Sequence, residues 1–557
     1  MEQHTNRIEN NTLYGSFYKP LDTSQFEGKP FAEHLLDRVR HHVAQKGDTV
    51  WLTNGAKQVL GQSNIFGEES HTTAEVEPRS RQMARILHHR FGIKRGYVVH
   101  FVMPSNTEMY FPIIGTWLLQ GVVSPADPGL SAEVTSIQLR EIKAKVIFCC
   151  LSTLNKVRDA LGILGEDIPV IVMDGEKNVG LKEGKEMSLD SLREAETRHE
   201  YPDFPPTFKV EVNEKILICW SSGTTGRPKG ILHGSKMLLK LLHDPNNSSF
   251  SKSVQTTCLF HLGGFTTPLN SLIQGKESII IANEDLEDNI EIILTVAGQS
   301  QADNILCGSH HLIQLASAKL MEGERPVSSV GMIVPVGTNL YDGILMDVKD
   351  KIPSVAMVLN VYGQSEGGAG VSFGLSQTNL GQIMCAGVRV VHTATSEPLG
   401  PNMVGEITYK TDCPMLGYIN HPVENEKFFG KEGFCHSGDL GHYDDNGVLY
   451  FDGRLKELIK YKNYHLYPNE LEELILSHEA VEDVAVFGKP EASVQELVTA
   501  LVVRREGSEL TKQDVDKLVN DKVDDHKKIR GGVHFVKKIP RNTQGKILRK
   551  SLENLLS

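Results

Sequence analysis

The stretch "ILICWSSGTTGRPKGILHG" (216–234) joins an apolar strand candidate to a loop of glycine and hydroxyl side chains. The loop residues of interest are Ser221, Ser222, Gly223, Thr224, Thr225 and Lys229. Glycine-rich loops expose backbone amides, and amides with neighbouring hydroxyls form a concave site for phosphate oxygens. Glycine suits such a site because a β-carbon would keep a phosphate away from the backbone. The stretch therefore predicts a strand that leads into a phosphate-binding loop with one fixed positive charge.

The loop differs from the phosphate-binding loop of P-loop NTPases. In that motif Gly-Lys is followed directly by Ser or Thr as a helix begins, whereas here Lys229 is followed by Gly230. A loop rich in glycine and serine is by itself typical of mobile segments. The Pro-Lys-Gly sequence at 228–230 is what makes a functional loop the better interpretation.

Short apolar runs alternate with amphipathic helix candidates over most of the chain. The strand candidates are 97–104, 144–150, 168–174, 216–220, 277–282 and 330–337. Such alternation predicts an α/β fold with mainly parallel sheets, and the length of 557 residues calls for more than one domain. The proline-rich stretch 200–214 is expected to be a surface connection.

A second, smaller α+β domain is expected at the C-terminal end of the chain. Pro468 begins a helix candidate with one apolar face, and 481–488 then alternates like a strand. Residues 531–552 supply another strand, a polar loop and a final basic helix, with Lys546 on or beside that loop. We therefore divide the chain into a large domain, 1–453, and a small mobile domain, 454–557.

Composition and charge exclude several classes of protein. The net charge is −12, and Lys and Arg are not clustered, which argues against nucleic-acid binding. The most apolar long stretch, 109–126, contains two prolines and a glutamine, so a buried helix is expected there rather than a membrane span. The eight cysteines include no CxxC pair, and most lie in apolar runs, which favours buried reduced thiols.

The two ends of the chain bear on its location. The N-terminus lacks a basic start followed by an apolar core, so no secretory signal is predicted. An intracellular, cytoplasmic protein is expected. The chain does not end in the Ser-Lys-Leu peroxisomal signal, which still leaves the peroxisome open.

Four motifs, in this order along the chain, resemble those of the adenylate-forming superfamily of acyl-CoA synthetases, aryl-CoA ligases, beetle luciferases and peptide-synthetase adenylation domains. They are "SSGTTGRPKG" (221–230), "NVYGQSEGG" (360–368), "GFCHSGDLGHYDDNGVLYFDGRLKELIKYKNY" (433–464) and "PRNTQGKILRK" (540–550). The resemblance covers nearly the whole chain. It is strongest to the branch of 4-coumarate–CoA ligase and luciferase, given "MLGYINHP" (415–422) and "KKIRGGVHFV" (527–536).

The resemblance implies a role for individual residues in joining ATP to a carboxylic acid. Lys546 matches the lysine that reaches the α-phosphate and the carboxylate, and Glu366 matches the glutamate that helps to hold Mg²⁺. Asp439 matches the carboxylate that accepts both ribose hydroxyls. The other matched positions at the nucleotide are Gly337, Asn360, Tyr362, Gly363, Ser365 and Arg454.

Four further positions concern the acid and the acyl acceptor. His261 matches a position that lines the acyl pocket, where it is expected to gate the pocket rather than to move protons. Lys456 stands at the hinge about which the small domain rotates after adenylation. Lys460 and Asn463 lie on the face that the rotation would present for the second half-reaction.

The chain also departs from the family pattern. Asn463 replaces a glycine beside which the pantetheine arm of CoA passes in relatives, and this difference leaves an acceptor other than CoA open. The segments 306–316 and 381–391 lack prolines that relatives carry near the acyl pocket. Neither the acid nor the acceptor follows from these differences.

The sequence predicts an ATP- and Mg²⁺-dependent acid–thiol ligase that converts an aryl or fatty acid to an acyl-AMP and then to an acyl-CoA. One alternative keeps adenylation but passes the acyl group to a hydroxyl or amine of a small metabolite. Luciferase-type oxidation and a non-catalytic nucleotide- or acyl-binding protein are the remaining alternatives. Retention of Glu366, Asp439, Arg454 and Lys546 together argues against the last of these.

Overall fold

A computed structural model gives the fold of most of the chain. It describes residues 6–16, 18–63, 67–175, 180–197, 211–221, 228–243, 250–286, 289–318, 327–337, 344–368, 370–374, 379–462, 464–491, 493–541 and 546–556. Most of the predicted connection at 200–214 and the loop residues Ser222, Gly223, Thr224 and Thr225 lie outside these ranges, as does Asn463.

A seven-stranded sheet forms one layer of the large domain. Its strands, in spatial order, are Met357–Val358, Met332–Val336, Asn304–Gly308, Lys252–Gln255, Glu277–Ile280, Val50–Asn54 and Ser70–Thr72. All neighbours are parallel except the last pair, which is antiparallel. The carboxyl ends of the central strands therefore lie at one edge, which is where open α/β sheets bind ligands.

An eight-stranded sheet carries the strand that leads into the opening motif. Its strands are Gly417–Tyr418, Gly230–Gly234, Lys215–Trp220, Val122–Ala126, Val98–Val102, Val146–Cys149, Val170–Val172 and Glu186–Ser188. The first two pairings are antiparallel and the others parallel. Its central strands are buried on both faces, which is why they read as continuous apolar runs. These two sheets confirm the predicted α/β fold.

A nine-stranded antiparallel sheet was not foreseen. Its strands are Arg7–Glu9, Thr12–Tyr14, Gly387–Val391, Gly405–Lys410, Cys435–Tyr443, Leu449–Arg454, Asn379–Ile383, Gly370–Gly374 and Asn360–Gly363. The motifs at 360–368 and 433–464 both contribute strands to this sheet, which therefore carries Asn360, Tyr362, Gly363, Asp439 and Arg454.

The large-domain helices cover the sheets. They are Phe31–Lys46, Gly55–Leu60, Thr73–Phe91, Tyr110–Leu118, Ala132–Ile142, Leu151–Leu164, Leu189–Thr197, Lys236–His243, Leu262–Gln274, Asn283–Leu286, Ile292–Ser300, Ser309–Ser317, Ile344–Lys349 and Pro422–Phe428. The expectation of one helix over 109–126 was wrong in its second half, because the helix ends at Leu118 and 122–126 is a strand. None of the described helices is long and apolar enough to cross a membrane.

The small C-terminal domain has a sheet and a core of its own. The strands Tyr464–Leu466, Ile459–Tyr461, Gln495–Arg504 and Val481–Glu491 follow one another in space, and Gly532–Phe535 pairs in parallel with Gln495–Arg504. Its helices are Pro468–Leu476, Lys512–Asn520 and Arg549–Leu552. Leu471 and Ile475 lie in its apolar core, as the periodicity of the helix candidate predicted. All eight cysteines of the chain are buried thiols.

Two fully buried histidines of the eight-stranded sheet make the fold sensitive to acid. Burial lowers the pKa of His100 to about 3 and that of His233 to about 4. Below pH 6.5 the unfolded chain binds protons that the folded chain does not, so stability is present above that pH and is lost as the pH falls. Each histidine should cost about 1.4 kcal/mol per pH unit between 6.5 and its folded pKa.

We therefore expect the urea midpoint to fall steeply between pH 6.5 and 5, and replacement of His233 by leucine to make that fall shallower. Urea titrations followed by tryptophan fluorescence measure both effects. A midpoint that does not change over this range would contradict the assignment of neutral buried imidazoles.

Candidate active site

A single large cleft collects most of the residues that the sequence selected. It has a volume of about 2130 Å³ and is lined by residues of both domains. The selected residues in its lining are Ser221, Lys229, His261, Gly337, Asn360, Tyr362, Gly363, Ser365, Glu366, Asp439, Arg454, Lys456 and Lys546. Residues that lie up to 325 positions apart in the chain, from Ser221 to Lys546, are thus brought to one place.

The described ends of the glycine-rich loop are fixed by the pairing of two strands. Lys215–Trp220 and Gly230–Gly234 run antiparallel, and the Ser221 amide donates to the Lys229 carbonyl at 2.9 Å. The Lys229 amide in turn donates to the Ser221 hydroxyl at 3.1 Å. Ser221 and Lys229 therefore face each other at the base of the loop, and both line the cleft.

Lys229 and Glu366 are linked through an aromatic side chain. The ammonium of Lys229 lies 5.1 Å from the centre of the Tyr418 ring and 3.6 Å from the Glu424 carboxylate. The Tyr418 hydroxyl donates a 2.8 Å hydrogen bond to Oε1 of Glu366. The Glu366 carboxylate is thereby oriented at the cleft on the same side as the glycine-rich loop.

Asp439 and Arg454 are neighbours across two strands of the antiparallel sheet. Arg454 Nε lies 3.5 Å from Oδ1 of Asp439, and the Tyr362 hydroxyl donates to Oδ2 at 3.0 Å. Burial raises the pKa of Asp439, while Arg454, the Tyr362 hydroxyl and Lys546 oppose that rise. The result is a buried carboxylate that is held in place by one cation and one hydroxyl.

Lys546 brings the C-terminal domain into the cleft. Burial, together with the nearby Arg454, lowers the pKa of its ammonium to about 8, against the opposing pull of Asp439, Glu366 and Glu457. An ammonium near a guanidinium and three carboxylates is a candidate to neutralise an anionic substrate that enters the cleft.

His261 immediately precedes the helix Leu262–Gln274, with its amide donating to the Cys258 carbonyl at 3.0 Å. Burial first, and Lys546 second, lower the pKa of its imidazole to about 3. The ring is therefore neutral at physiological pH and a weak base, which agrees with a lining rather than a proton-transfer role.

Lys460 is the described candidate that lies outside the cleft lining. It is exposed on the hairpin of Ile459–Tyr461 and Tyr464–Leu466, and its amide donates to the Glu496 carboxylate at 2.6 Å. Lys456 is also exposed but lines the cleft, just beyond the last residue of the strand Leu449–Arg454.

Two features of the site were missed in the sequence. Tyr418 lay in a quoted motif but had no role, since its contact with Glu366 depends on the pairing of Gly417–Tyr418 with Gly230–Gly234. Arg549 binds the carboxylates of Glu472 at 2.6 Å and Glu457 at 2.8 Å. This partly buried ion-pair network ties the final helix, and with it the segment of Lys546, to the helix Pro468–Leu476. A pattern of a lone arginine in a basic helix does not reveal such partners.

Comparison with known proteins agrees with this geometry. The family model "AMP-binding enzyme" matches residues 39–419, and "AMP-binding enzyme C-terminal domain" matches residues 470–546. The chain is 30% identical over 519 residues to 4-coumarate–CoA ligase 2 of Nicotiana tabacum, covering 89% of this chain and 91% of the relative.

Two solved structures share the fold at low identity. The anthranilate CoA ligase AuaEII, in complex with anthranoyl-AMP, has a TM-score of 0.80 and 16% identity, covering 96% of this chain and 99% of its own. The amide bond synthetase McbA of Marinactinospora thermotolerans has a TM-score of 0.77 and 18% identity, covering 94% of this chain and 99% of its own. The match of the family model over more than half of the chain, and the two-domain architecture, show that this protein belongs to the adenylate-forming family of AMP-binding enzymes.

Proposed function

We propose that the protein is an AMP-forming acid–thiol ligase, which activates an aryl or fatty acid with ATP and passes the acyl group to CoA. The observation that carries this proposal is the meeting of Lys546 with Asp439, Arg454 and Glu366 in one cleft built from both domains. The tobacco relative is by name a 4-coumarate–CoA ligase, which supports the same class of reaction.

In the first half-reaction a carboxylate oxygen forms a bond to the α-phosphorus of ATP, and the bond from that phosphorus to the β-phosphate oxygen breaks. Pyrophosphate leaves and acyl-AMP remains. Two anions must approach each other, so a cation held between them lowers the barrier most when water is excluded. Lys546 would take this role, and Ser221 and Lys229, at the base of the glycine-rich loop, would contact the leaving phosphates.

The nucleoside would be bound by the antiparallel sheet. The buried Asp439 carboxylate can accept both ribose hydroxyls, because an ionised carboxylate is an acceptor only. Arg454 would contact the ribose beside it, and Tyr362 and Gly363 would form a wall against the adenine. Asn360, Ser365 and Gly337, which has φ = 117°, complete the assigned nucleotide contacts. Ser222, Gly223, Thr224 and Thr225, which lie outside the described residues, are proposed to contact the phosphates as the sequence predicts.

Glu366 fits a role at Mg²⁺. Among the described residues its carboxylate has one hydrogen-bond donor, the Tyr418 hydroxyl at Oε1, and its side chain lines the cleft. Carboxylate oxygen is a preferred ligand of this ion, which usually keeps several waters and binds the phosphates of its substrate. A magnesium ion bound there would offset the negative charge of the phosphates.

In the second half-reaction the sulfur of CoA forms a bond to the acyl carbon, and the bond from that carbon to the AMP oxygen breaks, with loss of the thiol proton. We propose that the domain of residues 454–557 rotates about Lys456 relative to residues 1–453 before this step. The rotation would withdraw Lys546 and bring Lys460 and Asn463 towards the cleft. The exposure of Lys460 outside the cleft lining supports this division of roles.

The pKa of Lys546 predicts an alkaline limit to acid activation. The active form is the protonated ammonium, and its pKa of about 8 means that deprotonation begins above pH 8 rather than near 10. We expect kcat/KM for acid-dependent pyrophosphate release to fall about tenfold per pH unit above 8. In Lys546→Arg the value of kcat/KM should be lower than in the wild type. It should not decrease further between pH 8 and 10, because a guanidinium stays charged over this range. A wild-type profile that is flat to pH 9.5 would contradict this assignment.

An amine or hydroxyl acceptor is the second candidate. It is supported by the fold shared with an amide bond synthetase and by Asn463 in place of the glycine beside the pantetheine arm.

One experiment tests both candidates. Pyrophosphate release is screened over aryl acids and fatty acids of increasing length, and the products are weighed by mass spectrometry with and without CoA. We expect one class of acid to give acyl-AMP without CoA and acyl-CoA with it. If CoA does not accelerate the decay of acyl-AMP, the thiol-ligase proposal is wrong and amines become the acceptors to test.

A further inference from the structure

A pair of adjacent histidines lies at the carboxyl edge of the seven-stranded sheet. His310 and His311 follow the strand Asn304–Gly308 within the first turn of the helix Ser309–Ser317. Their ring centres are 3.9 Å apart, and both side chains line the cleft. The neighbouring parallel strand, Lys252–Gln255, ends beside them, and Thr256 and Thr257 continue it into the same cleft.

The Nδ1 atom of each ring is either hydrogen-bonded within the protein or buried. His311 is only 6% exposed, and its Nδ1 lies 2.9 Å from the hydroxyl oxygen of Thr256. His310 Nδ1 is shielded from solvent. In both residues Nε2 is therefore the ring nitrogen that a molecule in the cleft can reach. The backbone of Thr256 is itself fixed, because the Thr256 amide donates to the Leu306 carbonyl at 2.9 Å. Its hydroxyl therefore holds the His311 ring in one orientation.

The two rings are neutral. Burial lowers the pKa of His310 to about 4, with a smaller contribution from Arg541, and burial and His310 lower that of His311 to about 3. Arg541 also lines the cleft, but its guanidinium is 2.7 Å from the Asp483 carboxylate. A neutral imidazole can donate or accept one hydrogen bond through Nε2, and it offers no charge to a second carboxylate.

The position of the pair relates it to the acid rather than to the nucleotide. His261, assigned above to the acyl side, follows Thr257 by four residues and is joined to Cys258 through its backbone amide. Asp439, Tyr362 and Arg454, assigned to the nucleoside, belong instead to the antiparallel sheet. Buried polar groups in a substrate pocket favour partners that satisfy them, because an apolar partner would leave them without a hydrogen bond.

We propose that His311, supported by His310, determines substrate specificity by hydrogen-bonding to a neutral polar substituent of the acid, such as a hydroxyl, at a distance from its carboxylate. The inference rests on the proposed acid activation and names the class of acid: an apolar body with an uncharged hydrogen-bonding group, rather than a plain fatty acid or a dicarboxylic acid.

The test compares matched acids in the first half-reaction, with CoA omitted. The probes are octanoic, 8-hydroxyoctanoic and octanedioic acids, and 3-phenylpropanoic against 3-(4-hydroxyphenyl)propanoic acid. Pyrophosphate release gives kcat/KM for each acid. In the wild-type protein we expect at least one of the two hydroxy acids to exceed its unsubstituted partner by up to about tenfold, the net effect of one hydrogen bond. Octanedioic acid should be the poorest of the eight-carbon acids.

Variants separate recognition from a structural role. His311→Leu should lower the preference for the hydroxy acid about tenfold while changing kcat/KM for the unsubstituted acid less than threefold. His311→Gln, which keeps a polar group near the position of Nε2, should retain most of the preference. His41→Leu, an exposed histidine outside the cleft lining, is the matched control and should change neither value.

Four results would overturn the proposal. They are an absence of preference for both hydroxy acids in the wild type, a preference for octanedioic acid, an unchanged preference in His311→Leu, and a defect of that variant confined to the CoA-dependent step. The last would mean that the pair contacts the acyl acceptor. Failure of every acid in the wild-type protein would instead refute the proposed function itself, so the two failures are distinguishable.

Discussion

Replacement of Lys546 by alanine is expected to lower acyl-AMP formation by a factor on the order of 10²–10³, the usual loss when a preorganised group that stabilises transition-state charge is removed. Lys546 is the cation from the C-terminal domain that lies near Asp439, Arg454 and Glu366. Without it the carboxylate and the α-phosphate would meet with less of their charge neutralised. ATP binding should change little, since Asp439 and Tyr362, which are assigned to the nucleoside, belong to the large domain, and Arg454 pairs with Asp439 in the same sheet.

Acid-dependent exchange of labelled pyrophosphate into ATP measures this step alone. Lys522→Ala, an exposed lysine of the same domain outside the cleft lining, is the control and should exchange at the wild-type rate. Synthetic acyl-AMP supplied to Lys546→Ala should still react with CoA, because the proposed rotation withdraws Lys546 before the second step. Wild-type exchange in Lys546→Ala would show that the adenylation mechanism is wrong.

Replacement of Asp439 by asparagine should lower kcat/KM for ATP about 100-fold. The amide is a weaker acceptor than the carboxylate for two ribose hydroxyls, and hydrogen bonds to a charged group contribute about 1.5–3 kcal/mol each. The change also leaves Arg454 without the carboxylate that now lies 3.5 Å from it. The Tyr362 hydroxyl would keep a partner of the same shape, so the strands should remain paired.

Initial rates over a range of ATP concentrations measure the effect, and binding of AMP by calorimetry should weaken in parallel. Asp445→Asn, in the exposed turn that follows the same strand, is the matched control. Wild-type affinity for AMP in Asp439→Asn would exclude Asp439 from the ribose site.

The sequence predicted the parallel sheets better than the antiparallel one for a physical reason. Strands such as Val98–Val102 and Val146–Cys149 are covered on both faces and therefore appear as continuous apolar runs. The strands Gly370–Gly374 and Asn379–Ile383 are short, rich in glycine and polar residues, and only partly buried. Their register is irregular, and Asn379–Ile383 also pairs with the distant strand Leu449–Arg454, which periodicity does not reveal.

The same distinction applies to the candidate site. The resemblance of four motifs to the adenylate-forming family selected Asp439, Arg454, Glu366 and Lys546, and the structure brings all four to one cleft. The motifs did not select Tyr418 or His311. The contact of Tyr418 with Glu366 depends on strand pairing, and that of His311 depends on Thr256 at the end of a neighbouring strand. Residue types in a motif were thus predictable, whereas groups that orient them from other elements were not.

Transfer of ¹⁸O tests the central claim most directly. An acid of the class that supports pyrophosphate release is labelled with ¹⁸O in its carboxylate and incubated with ATP, Mg²⁺ and CoA. If the carboxylate attacks the α-phosphorus, the oxygen that bridges acyl group and phosphate stays with AMP when the thioester forms. We predict AMP that contains one ¹⁸O atom, together with unlabelled pyrophosphate. Unlabelled AMP, or label in inorganic phosphate alongside ADP, would contradict an acyl-adenylate mechanism.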